Sequence, residues 1–106
     1  MKKIRPGFQI PKKFELIHKT INIVYDKKII DDNNAVGLAN YRQNQIILHQ
    51  NGDNVKRPEK DCICTFFHEV FHHTFNALGE KDLRDNEKLI DNLASVFTQI
   101  FKTMKF

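Results

Sequence analysis

The sequence is poor in the residues that define several classes of protein. It has no tryptophan, four glycines, three prolines and two cysteines among 106 residues. This composition excludes a collagen-like or Gly/Pro-rich linker protein, and also a small domain held together by many disulfides. No apolar run approaches the roughly 20 residues that a membrane-spanning helix needs, so no membrane partner is expected.

The sequence also lacks the signs of secretion. Its basic start, Met1 to Gly7, is not followed by the apolar segment that a signal peptide requires. Cys62 and Cys64 lie two residues apart in a predicted helix, where their side chains point to nearly opposite sides and cannot bridge each other. These features favour a cytoplasmic protein with two free thiols.

Charge of one sign is not concentrated in any segment. The 17 Lys and Arg residues outnumber the 13 Asp and Glu residues, for a formal charge of +4, but the two signs are interleaved along the chain. Proteins that bind nucleic acids usually concentrate their basic residues, so a basic nucleic-acid-associated module is the weakest hypothesis and no nucleic acid is expected as a partner. The 41% hydrophobic and 28% charged residues indicate one globular domain spanning residues 1–106.

The first half of the chain predicts a short helix and a small sheet. Pro11 suits the first turn of an N-terminal helix that runs through Ile17. Ile21 to Tyr25 alternates as a strand does, and Ala35 to Tyr41 with Gln45 to Gln50 is expected to form a β-hairpin. The sheet is therefore expected to be three-stranded and mostly antiparallel.

Two longer amphipathic helices are predicted in the second half. The first begins near Pro58 and stops before Gly79. The second, capped by Asp82, keeps a 3.6-residue apolar period almost to the C-terminus. Turns are predicted at residues 31–34 and 51–54. Strands grouped before helices indicate the α+β class.

The first of these helices contains His68-Glu69-Val70-Phe71-His72. Histidines four residues apart stack on one helix face, so their two neutral imidazoles can ligate one Zn2+. Glu69 lies where it can activate a zinc-bound water as a general base, while zinc polarises a peptide carbonyl group. The pattern is typical of zinc metallopeptidases, but five residues recur by chance and a third ligand is needed.

A catalytic zinc ion usually has three protein ligands and an open fourth position. Glu80 and Asp82 lie too close to the turn after Gly79 to fold back onto the catalytic helix. An antiparallel return of the next helix would instead bring Glu87 beside the histidines as the third metal ligand. Asp91 shares its face and would accept the free N–H of a ligand histidine. The acidic residues considered are Glu80, Asp82, Asp85, Glu87 and Asp91.

The segment Asn86-Glu87-Lys88-Leu89-Ile90-Asp91 resembles the Asn-Glu-x-x-Ser-Asp segment of thermolysin-like gluzincins, with Ile90 in place of Ser. In that family the Glu is the third zinc ligand and the Asp supports a ligand. The short connection and the chain length look most like the minigluzincins, single-domain peptidases of about this size. A weaker similarity is to small metallopeptidases that cleave phage-type repressors. The resemblance implies a minimal zincin-like fold and a metalloendopeptidase that hydrolyses peptides or unstructured protein segments.

The resemblance also implies an edge strand that receives an extended peptide by β-augmentation. Either Ala35 to Tyr41 or Gln45 to Gln50 could be that strand. The small residues Ala35, Gly37 and Ala39 would let a substrate backbone approach closely. A hairpin that only shields the core is the alternative.

No motif identifies a donor for the oxyanion of peptide hydrolysis. The candidates are Tyr41, His49, His73 and Arg84. His73 is expected to have a structural or surface role. Because few catalytic groups can be identified besides the metal site, the enzyme is expected to be latent, like a zymogen, or narrow in specificity. The alternative function is a catalytically weak zincin-fold binding or regulatory protein that keeps the metal site.

The apolar C-terminal stretch from Phe101 to Phe106 allows three roles. It can pack on its own core, cover the cleft, or form a homodimer interface through the C-terminal helix. Packing on its own core is the simplest of the three.

Overall fold

The chain folds as an α+β domain, as expected from its sequence. The computed structural model describes residues 9–33, 35–49 and 59–105. Its elements are β1 (Lys13–Leu16), β2 (Lys19–Tyr25), α1 (Lys27–Asp32), β3 (Gly37–Asn40), β4 (Gln45–Leu48), α2 (Glu59–Ala77), α3 (Lys81–Arg84) and α4 (Glu87–Thr103). The sheet thus has four strands where three were predicted.

The strand order in the sheet is β1-β2-β4-β3. The β1–β2 and β3–β4 pairs are antiparallel, and the central β2–β4 pair is parallel. The predicted hairpin is confirmed, and so is a mostly antiparallel sheet. Because β4 lies between β2 and β3, the Gln45–Leu48 arm is interior and the Gly37–Asn40 arm forms an edge of the sheet.

The predicted N-terminal helix is wrong, because its residues form β1. Lys13 pairs with Asn22 and Leu16 with Lys19 across a tight turn. Phe14 and Leu16 face the core on alternate positions. This spacing fits a strand of period two. The ladder with β2 also pairs backbone N–H and C=O groups that the short predicted helix would leave without partners at its ends.

The turn predicted at residues 31–34 is correct only in part: residue 33 forms a turn, residues 31 and 32 end a helix, and residue 34 lies outside the described residues. Asp31 and Asp32 close the short helix α1, which begins where the Asp26 side chain accepts a hydrogen bond from the helix backbone. Ile30 is fully buried and anchors this helix on the sheet. The other predicted turn, at residues 51–54, and the predicted helix start at Pro58 lie outside the described residues.

The last helix is capped by Asn86, and the prediction that Asp82 caps it is wrong. The Asn86 side chain accepts a hydrogen bond of 3.1 Å from the Leu89 amide, and α4 begins at Glu87. Asp82 lies in the separate four-residue helix α3. The predicted stop at Gly79 is confirmed by its φ of 74°, which favours glycine.

Helix α2 packs across one face of the sheet, with α4 alongside it. The buried core cluster consists of Ile21, Ile46, Leu48, Ile63, Phe66, Phe67 and Ala94. Phe101 stacks on Phe67 with ring centroids 5.3 Å apart, so the start of the C-terminal stretch packs on its own core. No helix in the described ranges combines the length and apolarity needed to cross a membrane.

Candidate metal centre

Helix α2 carries a buried polar stripe beside its apolar face. Thr65, Glu69 and His73 recur every four residues and are all buried, with Glu69 only 5% exposed. They lie against β3 because α2 runs beneath this edge strand. His68 and His72 occupy the next face of the helix, at the mouth of a cleft. The helical period thus gives Glu69 and the two histidines separate environments.

Three donor atoms converge where α2 meets the start of α4. The Nε2 atoms of His68 and His72 are 3.2 Å apart. One carboxylate oxygen of Glu87 lies 3.2 Å from His68 Nε2, and the other lies 3.1 Å from His72 Nε2. Ligands bound tetrahedrally at zinc distances would be separated by about 3.3 Å. These three residues could therefore hold a metal ion with little rearrangement.

The other ring nitrogen of each histidine also has a partner. His68 Nδ1 lies 2.8 Å from Asp91 Oδ1. His72 Nδ1 donates to the Arg84 carbonyl oxygen at 2.9 Å. Because both partners are acceptors, the neutral rings carry their protons on Nδ1. Both Nε2 lone pairs then point toward the same space as the Glu87 carboxylate.

With both rings neutral, this arrangement is electrostatically unfavourable, and either a proton on one Nε2 atom or a metal cation between the donors would relieve it. Two lone pairs and a carboxylate face one another at 3.1–3.2 Å. Burial lowers the pKa of His72 below its ordinary value and so favours its neutral, metal-binding form. No lysine or arginine is among the described residues that line the cleft. A bound cation would supply the missing positive charge.

The Arg84 carbonyl is a supporting group that the sequence did not reveal. It is presented by α3, a separate short helix where the sequence predicted the start of the last helix. The Arg84 side chain fixes this segment by donating to Asn76 at 2.9 Å and to Asp85 at 3.0 Å. A backbone carbonyl is present in every residue, so no residue pattern could have pointed to it.

Glu69 is held in an unusual environment for a carboxylate. Desolvation by burial is the largest cause that raises its pKa, and together with the nearby carboxylates of Glu87 and Asp91 it brings the pKa to about 8. The ionised form therefore costs free energy in the metal-free protein. Its place in the same cleft as the histidines is the place expected of a general base.

The four candidates for an oxyanion donor differ in their positions relative to the cleft. Tyr41 lines the cleft, whereas His49 lies on the α1 side with its Nε2 3.3 Å from Asp31. His73 is buried, and its Nε2 donates to the Gln45 carbonyl at 2.7 Å, so its expected structural role fits its position. The Arg84 guanidinium lies over the Tyr41 ring at 5.3 Å.

Tyr41 has two side-chain neighbours beside the candidate metal ligands. Its ring makes a T-shaped contact with His73, with centroids 5.2 Å apart, and the Arg84 guanidinium lies over it at 5.3 Å. Burial is the main cause that raises the Tyr41 pKa, so the hydroxyl stays protonated and can donate a hydrogen bond. Of the four candidates, Tyr41 is the one positioned to act on a ligand in the cleft.

The cleft has a volume of about 280 Å3 and runs between β3 and α2. It brings together all three predicted metal-binding residues and Glu69, and Asp91 lies behind His68. No protein-family model matches the chain, and no curated protein or solved structure matches it either. The interpretation of the cleft therefore rests on its own geometry and chemistry.

Proposed function

We propose that this chain is a zinc-dependent metallopeptidase of the gluzincin type that acts on peptides or unstructured protein segments. The observation that carries the proposal is the convergence of two imidazole nitrogens and one carboxylate at 3.1–3.2 Å, beside a buried glutamate. Two histidines and a glutamate are a ligand set of catalytic zinc sites, where the fourth position stays open.

Some residues of the chain would bind the metal ion and others would orient those ligands. His68, His72 and Glu87 would bind it, while Asp91 and the Arg84 carbonyl keep the rings oriented. When bound, zinc would polarise the scissile carbonyl group and acidify water. A cation in this position also favours the ionised form of nearby carboxylates.

Glu69 would move the proton during hydrolysis. Its carboxylate lines the cleft next to the metal-binding group and is shielded from bulk water by β3. As a general base it would take a proton from the attacking water, and it would then pass that proton to the leaving amine. A buried carboxylate with a raised pKa is suited to both steps.

The edge strand β3 is the proposed binding site for the peptide. Its inner edge pairs with β4, and no strand of the described chain pairs with its outer edge. An extended peptide could form main-chain hydrogen bonds there and lie across the cleft. Folded proteins seldom present an extended backbone for such pairing, so the proposed substrates are short peptides and unstructured segments.

Tyr41 would stabilise the developing oxyanion by donating a hydrogen bond from its hydroxyl group. We expect Tyr41→Phe to lower kcat by about 100-fold with little change in zinc content, because one oxyanion donor is lost and no ligand is touched. Steady-state peptide hydrolysis and metal analysis measure the two effects. Tyr25→Phe is the matched control, since Tyr25 is outside the cleft. Equal kcat values for Tyr41→Phe and the wild type would exclude Tyr41 as the oxyanion donor.

Metal dependence tests the proposal as a whole. The purified protein should contain about one zinc ion per chain, and a chelator should abolish the cleavage of unfolded casein or fluorogenic peptides until zinc is restored. Glu87→Ala should lose zinc, whereas Glu80→Ala, which changes an exposed glutamate outside the cleft, should keep it. Retention of zinc by Glu87→Ala would exclude the proposed site.

The same measurements separate the alternative functions. Zinc binding without any cleavage would indicate the catalytically weak binding or regulatory protein. Steeply salt-dependent retention on DNA would instead support the nucleic-acid module.

A further inference from the structure

Gly37 occupies a position on β3 where no side chain fits. A Cβ atom added there would lie 2.7 Å from Thr65 Cγ2 and 3.1 Å from Glu69 Oε2. The first distance is shorter than atoms of this kind approach without displacement, and the second is tight. The φ angle of Gly37 is not positive, so the backbone conformation does not require glycine. The reason for glycine here is space.

The register of the sheet explains this close approach. Gly37 pairs with Leu48, and directly opposed residues of an antiparallel pair point to the same face. Leu48 is part of the core cluster that packs on α2, so Gly37 also faces α2. The face of β3 thus presses on the helix at Glu69, while its outer edge stays available for pairing.

We infer that Gly37 is a positioning residue that sets the distance between the edge strand and the Glu69 carboxylate. The inference rests on the proposed function. A peptide added to β3 is held at a distance from Glu69 that depends on how closely β3 approaches α2. A methyl group at position 37 must displace the strand, and with it the substrate, or displace the carboxylate. Either displacement separates the base from the reacting atoms.

Two substitutions separate the contact with Thr65 from the contact with Glu69. Thr65→Ser removes the Cγ2 atom nearest to position 37 and keeps the hydroxyl that donates to the Asp61 carbonyl at 3.0 Å. Gly37→Ala in this background would therefore clash less with the helix. Its methyl group would still lie against Glu69, so the two contacts can be measured one at a time.

The experiment compares the zinc-loaded wild type with Gly37→Ala, Thr65→Ser and the double variant. We expect Gly37→Ala to lower kcat/KM by about 100-fold, mainly through kcat, because a displacement near 1 Å of a reacting group has an effect of this size. Its Tm should fall by about 5–10 °C from overpacking. Relative to Thr65→Ser, the double variant should lose only about tenfold. Zinc content and the absorption spectrum of the cobalt-substituted protein should not change, because no ligand is altered.

Several results would overturn the inference. Gly37→Ala with a lowered Tm but wild-type kcat would make the glycine merely structural. If Gly37→Ala alone does not fold, the double variant is compared directly with Thr65→Ser, and equal kcat values contradict the role. Failure of the proposed function is distinct, because the wild type would then cleave no faster than Glu69→Gln.

Discussion

Glu69→Gln should lower kcat for peptide hydrolysis by about 10²–10⁴-fold while the protein still binds about one zinc ion per chain. The substitution keeps the size of the side chain but removes the group that accepts the proton of the attacking water. Glu69 is not among the three residues whose donor atoms converge, so the metal site should persist. Steady-state kinetics and metal analysis of the same preparation measure the two effects.

A matched control is Glu80→Gln, which makes the same chemical change in an exposed residue just before α3. Its kcat should stay close to the wild-type value. If Glu69→Gln cleaved peptides as fast as this control, another group would be the base. If Glu69→Gln lost its zinc, the drop in kcat would report on metal binding, and Glu69 would belong to the ligand set.

The contribution of Glu69 to the stability of the metal-free protein should fall as pH rises from about 4.5 to about 8. Burial is the main cause that raises the Glu69 pKa from 4.5 to about 8, so the folded state holds a proton that the unfolded state has released in this range. The part of the free energy of unfolding that Glu69 contributes therefore decreases with pH across this window and changes no further above it. The Glu69 contribution is on the order of 3–5 kcal/mol, because each unit of pKa corresponds to about 1.4 kcal/mol.

The difference between the wild type and Glu69→Gln isolates this contribution. Burial lowers the pKa of His72 and His73, and these shifts act in the opposite direction below pH 6.5. They are present in both proteins and largely cancel in the comparison. Urea unfolding of the chelated proteins should show similar stabilities near pH 4.5 and a variant more stable by several kcal/mol at pH 8.5. A difference that does not depend on pH would contradict the buried, protonated state of Glu69.

Zinc should reduce this pH dependence. A cation beside Glu87 and the histidines offsets the negative charges that raise the Glu69 pKa, so the carboxylate can ionise at lower pH. In the zinc-loaded proteins the advantage of Glu69→Gln at pH 8.5 should shrink. Comparing the two proteins with and without zinc therefore tests whether Glu69, the proposed base, destabilises the metal-free protein at high pH.

Most of the candidate site could be predicted from the sequence because it depends on residue spacing within helices and on a short connection between them. The spacing of His68 and His72 places them on one helix face whatever the rest of the fold does. Glu87 and Asp91 are likewise one turn apart, and a short connection after Gly79 limits where α4 can go. The structure brings His68, His72 and Glu87 together and places Asp91 on His68 as predicted. Their roles in catalysis stay predictions.

Short elements were harder to predict because their local preferences are weak. Pro11 and the apolar residues up to Ile17 fitted a helical turn, yet pairing with β2 makes residues 13–16 a strand. Asp82 and Asn86 are both good helix caps, and the choice depends on how the connection packs. In each case a contact distant in sequence outweighed a local preference.

The sequence by itself determined the α+β class, the two long helices and the convergence of the candidate metal ligands, since these follow from periodicity and short connections. Only the tertiary structure decided that β3 is the edge strand, that the Arg84 carbonyl supports His72, and that Gly37 must lack a side chain. These features depend on strand order, on backbone atoms and on space between elements. Small residues near position 37 are visible in the sequence, but their contact with α2 is not, because all three features arise from contacts between segments that the chain brings together only on folding.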